Sequence, residues 1–379
     1  MSCHCTAPTR SPSSKTALID DEQRTPSNLT PFPNHYTLHP PEIELEREFR
    51  LLNYNIFIRP PIVNTNGNDW KTERLNHIIQ EIEPYDLVTF QEFFGSFSSR
   101  RKRFIKKSIE LGFQWHLCSP RQHYLVDGGL LILSKFPILK DDFLPFNHGA
   151  SWDKLANKGI LYALVQIDSL CVHVFNTHLQ AICEAPSSHQ CKVMQRQISK
   201  CVQFIRSKIQ GNSYPAIISG DFNVDANAPP DSYHARQYSA LLSALKMLEN
   251  SRYDTTQSAQ NHNNEFFDLL YLFNANQYLI TFPNIILASN QQGTQNALTQ
   301  KQVSQQRIDY IFWLSPLSCL TSPTFQHTQN SQTPPSDDNR HIKPVNCKII
   351  PFFVDSSLNT PFTHLSDHYA IEASFQIFK

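Results

Sequence analysis

The chain has 379 residues, 40% of them hydrophobic, and a formal net charge of zero. That is enough for one large domain with a real core, or two ordinary ones, and the charge balance excludes a global electrostatic footprint for nucleic acid while leaving room for a local basic patch. Nine scattered cysteines without a CxxC spacing argue against both a dense disulfide framework and a structural zinc site, so free thiols are expected.

Residues 1–45 are rich in Pro, Ser and Thr and are expected to form a flexible leader. They contain no apolar h-region, and nowhere does an apolar run approach the length of about 18 residues that spans a bilayer. The expected location is therefore the cytoplasm, or outside it by a non-classical or specialised export route, with any contact with lipid made peripherally. No obligate protein partner is indicated.

Order is expected from EFRLLNYNIFI (48–58), a strand. In the stretch that follows, Leu75, Ile78, Ile79 and Ile82 share one face of a helix that stops before Pro84. YDLVTFQE (85–92) reads as a buried strand ending in a carboxylate, and RRKRFIKKSIELG (100–112) as an amphipathic helix with a cationic start. That charge run reads as a solvated helix face, with a phosphate grip as the alternative. Strands are expected at 128–138, 158–167, 170–178, 214–222, 307–314 and 368–378, and helices at 189–209 and 231–248. Residues 254–264, 289–306 and 321–345 are polar and read as surface loops inserted in a catalytic domain covering 46–379. Strands and helices mix without strict βαβ alternation, which favours an α/β (α+β) sandwich over a doubly wound sheet.

Several strands end in residues that carry chemistry. Asn55 lies in LLNYNIF, Glu92 ends VTFQE, His178 ends VFNTH, and Asp221 and Asn223 follow AIISG. Asp309 opens IDYIFW, and Asp367 and His368 precede the last strand. Singly, each reads as a turn former, an exposed carboxylate or a satisfied core residue. Together they form a set of oxygen ligands with two histidines. Oxygen ligation suits a hard cation, Mg²⁺ first, with Mn²⁺ or Ca²⁺ as alternatives, and with Glu92 and Asn55 as its holders. His368 is the candidate base, Asp309 its orienter, and His178 a hydrogen-bonding partner for a phosphoryl oxygen.

QE, THL, GDFN, DYIF and SDH, in that order at strand ends, resemble the endonuclease/exonuclease/phosphatase superfamily with its DNase I-like fold, over roughly residues 48–379. Within it, DGGLLILSKFPI (127–138), NKGILY (157–162) and VHVFNTHLQA (172–181) are similar to segments of the neutral, Mg²⁺-dependent sphingomyelinases of bacterial type. The resemblance implies a four-layer sandwich of two packed mixed sheets flanked by helices. It implies a phosphodiesterase that cleaves sphingomyelin to ceramide and phosphocholine by general-base activation of water. By position, Glu92 and Asn55 would hold Mg²⁺, with Asp367 beside them. Asp221 and Asn223 would hold the water and phosphate, His178 the phosphoryl oxygens, and Asp309 would orient His368. Asp127, of the DGG segment, would touch substrate. The alternatives are a Mg²⁺-dependent nuclease or deadenylase, or an inositol or lipid phosphatase, on the same fold. Phe352, Phe353 and Phe362 are expected either to insert at a lipid interface or to belong to a buried strand.

Overall fold

The structure is a computed structural model that describes residues 45–61, 63, 69–147, 149–181, 188–249, 265–275, 277–283, 305–316 and 341–379. The expected leader (apart from Leu45), the 254–264 loop, and most of the 289–306 and 321–345 loops lie outside the described residues.

Among the described residues, twelve strands form two six-stranded sheets. The first sheet holds β1 (Leu45–Ile58), β2 (Leu87–Phe93), β3 (Trp115–Cys118), β4 (Leu131–Ser134), β11 (His341–Ile350) and β12 (Ala370–Phe378) in the order β11-β12-β1-β2-β4-β3. The second holds β5 (Ile138–Pro145), β6 (Gly159–Ile167), β7 (Leu170–His178), β8 (Ala216–Asp221), β9 (Phe266–Asp268) and β10 (Asp309–Leu314) in the order β5-β6-β7-β8-β10-β9. Both sheets are mixed: β1 pairs parallel with β2, and β7 with β8, while the remaining neighbours run antiparallel.

Strand alternation sorts the side chains into layers. Leu52, Tyr54, Val88 and Phe90 face Leu75, Ile78 and Ile79 of α1 (Lys71–Glu81) and Phe104 of α2 (Arg100–Glu110). Phe175, Ile218, Tyr310 and Phe312 face Met194, Ile198 and Ile205 of α3 (Ser188–Ile209) and Leu241 and Leu245 of α4 (Tyr233–Lys246). Between the sheets, Leu51, Leu87, Ala373 and Phe375 meet Val172, Val174, Ile217, Ile311 and Trp313. The result is the expected four-layer sandwich.

The expected strand at 128–138 contains only β4 and reaches no further than the first residue of β5, which belongs to the other sheet. The Ser134 hydroxyl and the Phe136 backbone hydrogen-bond each other in the turn between them. The expected loop at 321–345 gives way at His341 to β11, an edge strand whose pairing is irregular beside Pro344. An edge tolerates the missing N–H of proline. Three further short elements were not expected: β3, β9 and α5 (Leu269–Phe273).

Along the seam between the sheets the apolar residues give way to polar ones in the same alternation: Asn53 and Asn55 after Leu51, Thr89 and Gln91 after Leu87, Asn176 and His178 after Val174, Ser219 and Asp221 after Ile217. All are buried. They bond across the seam. Ser219 Oγ donates to Thr89 Oγ1 at 3.0 Å, and Gln91 Nε2 to Asn176 Oδ1 at 2.7 Å. Asn176 Nδ2 donates to the carbonyls of Phe90 at 2.9 Å and Leu131 at 3.1 Å. Asn176→Leu strands three partners in a water-poor layer, which should cost about 3 kcal/mol of stability. Urea unfolding at equilibrium measures this; an unchanged midpoint would show that the seam does not hold the sheets.

Candidate active site

The polar seam ends in a cluster assembled from both sheets. Asn55 Nδ2, at the end of β1, donates to Asp221 Oδ2, at the end of β8, over 2.9 Å. His178 Nε2 approaches the same oxygen at 3.4 Å and His368 Nε2 at 3.9 Å. His368 Nδ1 meets Asp309 Oδ2 at 2.9 Å. The imidazole is thus held from behind by one carboxylate and presents its other nitrogen to a second. Asp221, Asp309 and His368 offer ligand atoms all within 4.8 Å of one another and could hold a metal ion. Asn223 turns back on the cluster: its backbone N–H donates to Asp221 Oδ1 at 3.0 Å and its Nδ2 to the Leu179 carbonyl at 3.2 Å.

Glu92 and Asn223 both sit in the left-handed region, at φ 54 and 51. For residues other than glycine this costs on the order of 1 kcal/mol or more and concentrates at functional sites. At Glu92 it has a visible effect. Residues 87, 89 and 91 face the seam and Val88 and Phe90 face the helices, yet Phe93 packs with the helices. The break in alternation falls on Glu92. Gly220, at φ 149, is required for another reason, since a Cβ there would run into the Thr177 carbonyl.

The site is rich in buried charge. Burial, reinforced by Asp309, lifts the Asp221 pKa to about 7, against the pull of His368 and the Asn55 hydrogen bond. Burial first, and the Asp367 charge second, raise Glu92. Burial raises Asp367 too, opposed by His368, Arg74 and Arg59. Burial, with the charges of Lys158 and His368, pushes His178 well below its usual range. For His368 burial works downward, but the charge and hydrogen bond of Asp309, with Asp367 and Asp221 behind, outweigh it and lift the group to about 10.

The donor set fits a hard cation. Glu92 Oε2 is buried without a hydrogen-bond partner among the described residues, and Glu92 and Asp367 repel each other's charge. A divalent ion relieves both. Asp309 Oδ1 is buried and unpartnered in the same sense, but Oδ2 of that carboxylate is committed to His368.

Asp127 lies elsewhere. Its Oδ2 accepts from the backbone of Gly95 at 3.0 Å, and from the Ser96 backbone at 2.9 Å and hydroxyl at 2.8 Å. Its Oδ1 accepts from Gly129 at 2.9 Å and Arg101 Nη1 at 2.8 Å. Both oxygens are fully engaged in pinning the loop after Glu92, so the geometry makes it a support rather than a substrate ligand. Of the three phenylalanines, Phe362 is buried and Phe352 half-buried against Tyr54, so neither is free to insert into lipid; Phe353 is 57% exposed.

Other contributors were not singled out from the sequence, although Ser366, Lys158 and Gln180 lie within the SDH, NKGILY and VHVFNTHLQA segments. Thr281 Oγ1 accepts from the backbone of Ile308 and Asp309, both at 3.1 Å, and Phe282 lies 4.6 Å from the His368 ring, centroid to centroid. Ser366 Oγ donates to the Asn55 carbonyl at 2.6 Å and accepts from the His368 backbone at 3.2 Å. Arg74, wholly buried, donates to the carbonyls of Ile56 at 2.8 Å, Phe57 at 2.6 Å and Leu365 at 2.7 Å, tying the end of β1 to the segment bearing Asp367. Lys158 Nζ donates to the Leu179 carbonyl at 2.9 Å and pairs with Asp153 at 3.1 Å. In the HLQA run, Gln180 N–H donates to Gln197 of α3 at 2.7 Å, which anchors the chain just past His178.

A raised histidine pKa stabilises the fold fully below the unfolded value near 6.5, and that stability is lost as pH rises toward about 10. In chelator, the melting temperature of the native chain should therefore fall over that window more steeply than that of Asp309→Asn. Parallel profiles by scanning calorimetry would contradict the His368–Asp309 pairing.

The Endonuclease/Exonuclease/phosphatase family profile matches residues 63–368. Sphingomyelinase DDB_G0288017 of Dictyostelium discoideum is 24% identical over 88% of this chain and its own full length. Sphingomyelinase C of Bacillus cereus is 29% identical over 51% of this chain, and the match spans 62% of that relative, under two thirds of its length. Among solved structures, a variant of beta toxin from Staphylococcus aureus with bound magnesium ions superposes with a TM-score of 0.54 at 19% identity, covering 86% of this chain and 99% of that one. That likeness speaks for the fold.

Proposed function

The chain belongs to the endonuclease/exonuclease/phosphatase family, and from that premise we propose that it hydrolyses the phosphodiester of sphingomyelin to ceramide and phosphocholine. One observation carries the chemistry: the imidazole of His368, hydrogen-bonded behind by Asp309 at 2.9 Å, presents Nε2 toward Asp221 at the mouth of the seam. The substrate class is supported by the full-length similarity to a protein named a sphingomyelinase.

Each residue has a part. Asp309 accepts from His368 Nδ1 and so fixes the tautomer whose Nε2 takes a proton from water. Asp221 and Asn223 hold that water and a phosphoryl oxygen. His178, kept neutral, hydrogen-bonds a phosphoryl oxygen, with the Lys158 charge behind it. Glu92, Asn55 and Asp367 would hold Mg²⁺, which supplies charge neutralisation of the phosphoryl oxygens. The carboxylates favour that assignment: Asp309, Asp367 and Asp221 lift the imidazole to about 10, and a divalent ion held beside them would offset their charge and bring the base toward its neutral form. Action would be peripheral, at a membrane surface; no helix among the described residues is long and apolar enough to cross a membrane.

The test offers the protein, with Mg²⁺, sphingomyelin vesicles, phosphatidylcholine vesicles, and single-stranded and duplex nucleic acid. Phosphocholine should be released from sphingomyelin and not in Glu92→Gln, and EDTA should abolish the release. His368→Ala should lower kcat by about 10²–10⁴. Nucleotide release instead would overturn the substrate, and turnover surviving chelation would overturn the cation.

A further inference from the structure

We infer that the exposed cationic face of α2, with Phe97 at its leading edge, is a docking surface for an anionic lipid leaflet. This rests on the reading of the substrate as a lipid.

The helix carries six cations in its first eight residues, and they divide by function. Arg101 turns inward to Asp127 and the Phe93 carbonyl, at 2.8 and 3.0 Å, and Arg100 reaches Thr72 of α1 at 2.9 Å. Lys102, Arg103, Lys106 and Lys107 are exposed. At 3.6 residues per turn they fall on one side of the helix, opposite the buried Phe104 and Ser108. The helix itself carries a single acid, Glu110 at its end. In a chain of zero net charge this is a local concentration of positive charge, and among the described residues its one hydrogen bond is a long one from Lys107 to Asn76 at 3.5 Å.

Its position is the second observation. The helix follows directly from the loop after Glu92, so its first turn lies at the end of β2 where the candidate active site opens. On that loop Phe97 is 60% exposed at φ 59, a strained backbone for a bulky side chain. It stacks under Arg121 at 5.1 Å, and the Arg121 loop also exposes Leu125 at 46%. Asp127 holds both loops together through Gly95, Ser96 and Gly129. The rim is therefore a fixed platform of apolar tips backed by cations, which matches an anionic leaflet: charge draws the face to the surface and the apolar tips enter the boundary.

The test sediments the full chain with phosphatidylcholine vesicles, with and without phosphatidylserine, and omits sphingomyelin so that turnover plays no part. The native protein should partition preferentially to the anionic vesicles, and salt should weaken it. Lys102→Ala, Arg103→Ala, Lys106→Ala and Lys107→Ala together should reduce that partition by roughly 600-fold, each cation near a leaflet contributing roughly fivefold. Phe97→Ala should weaken it further, and hydrolysis of a soluble phosphocholine ester should be unchanged in all of these variants. Equal partition of the native chain to both vesicles, or native partition by the quadruple variant, overturns the proposal. So does retention of duplex DNA with no vesicle binding, which would assign the face to nucleic acid. Anionic binding that depends on the four cations in a protein that leaves sphingomyelin intact upholds this surface and overturns only the substrate.

Discussion

Everything at the mouth of the sandwich depends on one constraint: the two sheets must meet in a single register, because their facing strands are bonded across the seam. An apolar interface tolerates sliding at modest cost. A layer in which Gln91 must find Asn176, and Thr89 must find Ser219, does not, since each buried polar group left unpaired costs about 1–3 kcal/mol. That register sets Asn55 of one sheet 2.9 Å from Asp221 of the other. The site is the continuation of the seam toward solvent, built with the same alternation.

The electrostatics follow from this geometry. Packing the sheets buries Asp221 and Asp309, with Glu92 and Asp367 half-buried, and burial raises Glu92, Asp221 and Asp367. The fold offsets this with buried cations that do not face the reaction: Arg74 behind Asp367, and Lys158 behind His178. Each is held by backbone carbonyls, and so stays in place whether or not an ion is bound. The left-handed backbone of Glu92 belongs to the same economy, a local strain that the pinned 95–96 loop maintains.

Much of this was legible in the sequence, for reasons that are local. Alternation and helical spacing located β1, β2, β6, β7, β8, β10, β12 and α1 to α4, because their patterns are produced by burial. The polar strand ends were readable as a set because each breaks an apolar run. What was hidden depends on distance. β3 and β9 are too short to show a period, and β11 is masked by Pro344 and by polar residues that an edge strand can carry. Asp127 was read as a site residue from its neighbours in the chain, yet its partners, Arg101 and Ser96, lie roughly thirty residues upstream. Thr281 and Arg74 act through backbone groups of other segments, and no feature of their own sequence surroundings marks that.

The central claim is a division of labour: Glu92, Asn55 and Asp367 hold the cation, and His368, on Asp309, stays free to move a proton. Anomalous diffraction from crystals loaded with Mn²⁺ tests it most directly. The account predicts a peak bonded to Glu92, with the His368–Asp309 hydrogen bond intact. A peak coordinated by Asp221, Asp309 and His368 together would contradict it, because that imidazole would then be a ligand and not a base.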